Sequence, residues 1–164
     1  MNEVYDAYPL TSKEVDGTLK TEFHEMMDHL ETQLRVNIHQ VGMETFANSI
    51  YYYCKFQKGS DDFWHILETA LLKNKEGMTI SHLSKCLLAL VMNPRPIPKN
   101  LQRGIVDQII TKFDKAQSRD VFYTCMAIGK GHRKIEQDLI SSDLYYAILL
   151  KCQDTSLLQE FDLY

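Results

Sequence analysis

An all-α chain is predicted, built as a right-handed α-solenoid-like stack of about three helical hairpins preceded by one extra helix. Three observations carry this. Apolar residues recur at helical spacing, matching positions return every 37–38 residues, and capping or breaking residues fall between the periodic stretches. No alternating strand pattern is found.

The leading helix is expected over 21–37, where Phe23, Met26, Met27, Leu30 and Leu34 form one apolar face. The string LETQL at 30–34 returns as LETAL at 67–71, within a helix carrying Phe63, Ile66, Leu67, Ala70 and Leu71. A third stretch repeats the spacing with Leu101, Ile105, Val106 and Ile109, and Leu144 and Ile148 continue it. Between these lies a second series at the same period: Phe46 and Ile50, Leu83 and Leu87, Val121 and Cys125. Two interleaved series at one period describe a repeated helix pair. The hairpins are expected at 42–76, 79–115 and 118–152.

The punctuation agrees. Ser60-Asp61-Asp62 offers an N-cap and two acids for a helix start, and Gly77 a stop before Thr79, a further cap. Asn93-Pro94-Arg95-Pro96-Ile97-Pro98 must be a connector, with Asn100 able to cap the helix beyond it. Ser118 can cap a further helix, which should fade at Gly129 and Gly131. Thr11-Ser12-Lys13-Glu14 fits a capping box, interrupted by Asp16-Gly17. The chain thus divides into an irregular N-terminal docking segment (1–20), a helical-repeat domain (21–154) and a short C-terminal docking tail (155–164).

The 164 residues suffice for one domain with a sizeable core, and 45% hydrophobic with 24% charged residues is a folded composition. The longest apolar run, Cys86–Met92, is far short of the roughly 18 residues that span a bilayer. The opening MNEVYDAYPL places Glu3 and Asp6 before any base, unlike a secretory or transit leader. Cys54, Cys86, Cys125 and Cys152 each lie within apolar helical patterns and form no C-x-x-C, so buried, reduced thiols in a reducing intracellular compartment are expected.

The net charge of −4 is unevenly spread: −5 over 1–36, 0 over 37–94, +6 over 95–134 and −5 over 135–164. The basic set Arg95, Lys99, Arg103, Lys112, Lys115, Arg119, Lys130, Arg133 and Lys134 is a candidate surface for an anionic partner. The plain alternative is that it solvates a hairpin and complements the acidic ends. Tyr51-Tyr52-Tyr53 and Tyr145-Tyr146 cannot all point inward from single helices. Tyr51, Tyr52 and Tyr145 are therefore candidate protein-interface residues, as are Leu158 and Phe161 of the apolar tail, and Trp64 serves equally as core or interface anchor.

Two motifs invite chemistry and lack its spacing. In His24-Glu25-Met26-Met27-Asp28-His29 the second histidine falls at i+5, off the face that a zinc-binding H-E-x-x-H shares. Gly129-Lys130-Gly131-His132-Arg133-Lys134 has neither the spacing nor the strand of a phosphate loop. No catalytic triad or cofactor loop is found, so neither an enzyme nor a bound cofactor is expected.

Helix pairs of this period, with Leu83, Leu87, Leu88, Ala89 and Leu90, then Met126, Ala127 and Ile128, in first helices, and Leu67, Leu71, Ile105 and Ile109 in second helices, resemble organellar α-helical hairpin repeats of the heptatricopeptide, FAST-kinase-like type. The resemblance spans roughly 21–152. It implies a mitochondrial or chloroplast setting, action on RNA, or service as an accessory subunit of a large assembly. The expectation is a non-enzymatic scaffold subunit of a mitochondrial multi-protein complex, whose partners are the other subunits. The alternative is a small RNA-binding repeat protein using the basic 95–134 segment.

Overall fold

The computed structural model describes residues 17–131, 134–135 and 142–153. Among them are seven α-helices and no strand. These are α1 (Gly17–Asn37), α2 (Met43–Phe56), α3 (Asp61–Asn74), α4 (Ile80–Met92), α5 (Lys99–Lys112), α6 (Ser118–Gly131) and α7 (Ser142–Cys152). Short 3-10 turns at Lys75–Gly77 and Phe113–Lys115 end α3 and α5. The expected helix starting at 21 begins at Gly17, so residues 17–20 are helical rather than irregular. The capping box at Thr11–Glu14 lies outside the described residues.

Local chemistry fixes most boundaries. Gln57 takes the left-handed conformation (φ 53°) that closes α2, its N–H reaching the Cys54 carbonyl at 3.1 Å. Gly59 follows at φ +99°, and a Cβ there would stand 2.8 Å from the Phe63 ring and 2.9 Å from the Trp64 indole nitrogen, so only glycine fits. Ser60 then caps α3 by accepting the Phe63 N–H at 3.2 Å. Thr79 caps α4 and His82 completes the box: Thr79 Oγ1 accepts the His82 N–H at 3.3 Å while His82 Nδ1 accepts the Thr79 N–H at 3.4 Å.

Two expected caps are displaced. Asn100 lies inside α5, which starts at Lys99 because Pro98, already at φ −57°, supplies the boundary and accepts the Gln102 N–H at 3.0 Å. Ser118 is the first residue of α6; the cap position belongs to Gln117, whose N–H is taken by the Asp120 carboxylate at 3.0 Å.

The helices pack in two rows. In one, α4 lies between α2 and α6; in the other, α1 meets α3, α3 meets α5 and α5 meets α7, while α4 and α5 join the rows. Central α4 is buried along almost its whole length, from Ile80 through Val91. Each of its leucines removed from water stabilises the fold by about 1.5–3 kcal/mol. Polar side chains stitch the rows at intervals. Tyr53 donates from α2 to the Met27 carbonyl of α1 at 2.8 Å, and Lys85 of α4 donates to Asn48 of α2 at 2.7 Å.

Candidate functional site

The nine basic residues of 95–134 divide by what their side chains reach. Lys112 turns inward at the end of α5, and its ammonium donates to the carbonyls of Glu76 (2.7 Å) and Met78 (2.8 Å), closing the 3-10 turn after α3. Lys134 donates to the Asn93 carbonyl, and its own carbonyl accepts from buried Gln102 at 3.0 Å. Arg95 pairs with Asp61 at the start of α3. Lys112 and Lys134 thus end on backbone carbonyls of the same fold, whereas the Arg95–Asp61 pair is a surface ion pair, with the Asp61 side chain 89% exposed. Lys99 and Arg103 on α5, Lys115 in the following turn, and Arg119 and Lys130 on α6 are exposed. Arg133 lies outside the described residues.

The candidate interface residues divide similarly. Trp64 is a core side chain rather than an interface anchor, because its Nε1 donates to the Lys58 carbonyl at 3.0 Å and its ring packs beside Phe63. Tyr52 and Tyr145 are exposed; Tyr51 is half-buried. Burial, then the neighbouring Tyr123 and Tyr52, push the Tyr51 hydroxyl above its usual value. Tyr53 is wholly inside, and burial first, then Glu31 and Asp28, raise its hydroxyl to about 12. Leu158 and Phe161 lie outside the described residues.

Among the described residues, two apolar surfaces stand open. On α7, Leu144 and Ile148 face the core while Tyr145, Tyr146, Leu149 and Leu150 are exposed. At the other end, Phe23 of α1 meets Phe56 of α2 edge-on, with ring centroids 5.1 Å apart, and Phe56 stacks on Tyr52 at 6.3 Å. Met26 and Leu30 continue this surface along α1 and are exposed. Phe23 and Phe56 are partly buried against the core, but Met26 and Leu30 could not be recognised as surface residues from sequence, because helical periodicity marks an apolar face without saying whether another helix covers it. The signal that finds them is the repeat register, which shows which neighbour each face requires.

The thiols also divide. Cys54 and Cys86 are buried, and burial drives the Cys54 thiol up to about 12 and that of Cys86 higher. Cys125 and Cys152, expected inside, are exposed, since each occupies a helix flank turned away from the core. Among the described residues no three His, Cys, Asp or Glu side chains gather as a metal site would need, and no helix is long and apolar enough to cross a membrane. Set against known proteins, the chain matches no family model, no curated protein and no solved structure.

Proposed function

We propose that the chain is a non-enzymatic helical-repeat scaffold, an accessory subunit of a large mitochondrial multi-protein complex, stacked as a right-handed α-solenoid. The observation that carries the reading is the pair of open apolar surfaces, on α7 and at the corner of α1 and α2, on an otherwise well-packed two-row body. Isolated soluble domains rarely leave such clusters bare, and repeat arrays use them to hold neighbours. The mitochondrial placement rests on the resemblance alone. Co-purification of the native protein at its natural size tests the reading: it should run well above the mass of its own chain with defined companions, and a native protein that runs alone overturns it.

RNA binding is the second reading, favoured by the five exposed bases Lys99, Arg103, Lys115, Arg119 and Lys130. Against it, Lys112 and Lys134 are committed to backbone carbonyls of the fold and Arg95 is paired with Asp61. If phosphates are contacted, affinity for single-stranded RNA falls steeply with salt; the scaffold reading expects no such binding.

A further inference from the structure

The repeat register aligns Met26 and Leu30 on α1 with Phe63 and Leu67 on α3 and with Leu101 and Ile105 on α5. On α3 and α5 these four side chains are no more than 1% exposed, whereas Met26 is 50% and Leu30 42% exposed. What differs is the neighbour. Phe63 is covered by Tyr53 of α2, the helix preceding α3, with ring centroids 4.6 Å apart. Among the described residues no helix precedes α1.

The other row repeats the pattern. Tyr52 and Phe56 of α2 align with Ala89 and Asn93 after one period and with Ala127 and Gly131 after two. Those later positions turn toward the preceding helix of their row: Asn93 Nδ2 lies 3.7 Å from Cys54 Sγ, and a Cβ on Gly131 would stand 3.0 Å from Val91. Both alanines are wholly buried, yet Tyr52 is 48% exposed. Both walls of the corner between α1 and α2 are therefore shaped for one more helix.

We infer that this corner is a docking groove for a single amphipathic helix of a partner protein, with an apolar face and Lys or Arg along its flanks. The charge comes from α1, where Glu31 is taken up by Ser60 and Arg35 while Glu22, Glu25 and Asp28 are exposed. Glu22 sits one turn before Met26 on the Met26–Leu30 line, Glu25 lies beside it, and both are exposed. Residues 1–16 are a poorer occupant: Glu3, Asp6, Glu14 and Asp16 outweigh Lys13, setting like charge against like. In addition, α1 has 21 residues where α3 and α5 have 14, so it takes up residues that elsewhere form the connector. The α7 face of a second copy belongs to a stretch of net charge −5 and is disfavoured in the same way.

This inference rests on the scaffold reading and names the kind of partner one of its surfaces takes. The test uses the full chain and a labelled 14-residue peptide with leucines at i, i+4, i+7 and i+11 and lysines on the flanks, beside the same peptide with glutamates for lysines. In fluorescence anisotropy the lysine peptide should bind at least tenfold more tightly. Met26→Ser with Leu30→Ser should weaken it at least tenfold, and Leu149→Ser with Leu150→Ser on α7 should leave it unchanged. Circular dichroism checks that both variants keep their helix content. Carbene footprinting should label Tyr52 in the free chain and lose that label when the peptide is added. Equal binding of the two peptides, equal sensitivity to the α7 pair, or absence of binding overturns the inference. So does protection of Tyr52 in the free chain, which assigns the groove to residues 1–16 if independent of concentration and to a second copy if not. None of these outcomes bears on whether the native protein co-purifies with companions, so the two readings fail separately.

Discussion

Ser84 of α4 and Thr124 of α6 share a hydrogen bond of 3.0 Å with both side chains closed off from solvent. One turn earlier, Ser81 of α4 donates to Asp120 of α6 at 2.7 Å. The two bonds form a polar seam inside an apolar row. Apolar surface alone leaves two helices free to slide along each other by a turn; the seam makes one register better than the rest, because a shift parts Ser84 from Thr124 and Ser81 from Asp120, although Thr124 Oγ1 also donates to the Asp120 carbonyl at 2.8 Å within α6. We expect Ser84→Ala and Thr124→Val each to cost about 1 kcal/mol, and the double variant less than the sum of the two. Urea denaturation of the four proteins measures the coupling.

Asp120 has the harder task. One carboxylate oxygen accepts from Ser81 and the other from the Gln117 N–H at the start of α6. Asp120→Ala strands both donors and removes a helix cap, so a loss of about 2–4 kcal/mol is expected in thermal or chemical unfolding. A loss below about 1 kcal/mol would show that water replaces the carboxylate.

Leu67 and Leu30 test the difference between α3 and α1. The two occupy equivalent positions in a near-identical string, but only Leu67 is buried. Leu67→Ala should cost about 2–5 kcal/mol and Leu30→Ala less than about 0.5 kcal/mol. Comparable losses would mean that Leu30 is covered in solution.

The paired-helix pattern was legible because burial on two rows imposes helical spacing within each element and a fixed period between elements. Leu67, Ile105, Leu83 and Val121 are all core residues, as the period requires. Periodicity could not separate Leu30 from Leu67, since both obey it and only the tertiary neighbour differs. Nor could it anticipate Lys112 and Lys134, whose long stems carry a charge to carbonyls 34–41 residues away. The seam was missed for a related reason: Ser81, Ser84, Asp120 and Thr124 read as ordinary polar helix residues until the helix opposite is known.

His82 should make the fold acid-sensitive. Burial holds its imidazole below the usual value, opposed by Glu44 and Asp120 and assisted by Lys85, and its Nδ1 accepts the Thr79 N–H. Folded His82 resists a proton that the unfolded residue takes up near pH ~6.5. The unfolded state thus binds more protons in this range, so this contribution is complete above that value, is lost as pH falls through it, and levels off below the folded value. His82→Gln, which keeps a capping side chain without a titrating ring, should flatten this part of the stability profile in urea titrations across mildly acidic pH.

The thiols give a chemical check on packing. Iodoacetamide should modify Cys125 and Cys152 in the native protein and reach Cys54 and Cys86 only on unfolding, because burial both shields that inner pair and suppresses their thiolates. Burial also raises the Cys125 thiol, so it should react more slowly than a free thiol. Mass spectrometry of the labelled peptides reads the order directly.

The burial of α4 has a consequence for how the chain is made. Its two walls are covered by α2, already synthesised, and by α6, whose end emerges roughly 40 residues later. At about 5–20 residues per second that is an interval of about 2–8 s during which the wall of α4 that meets α6 is uncovered. The order of synthesis thus leaves the most apolar of the described helices waiting for the second neighbour of its row, and a nascent-chain chaperone has those seconds in which to act.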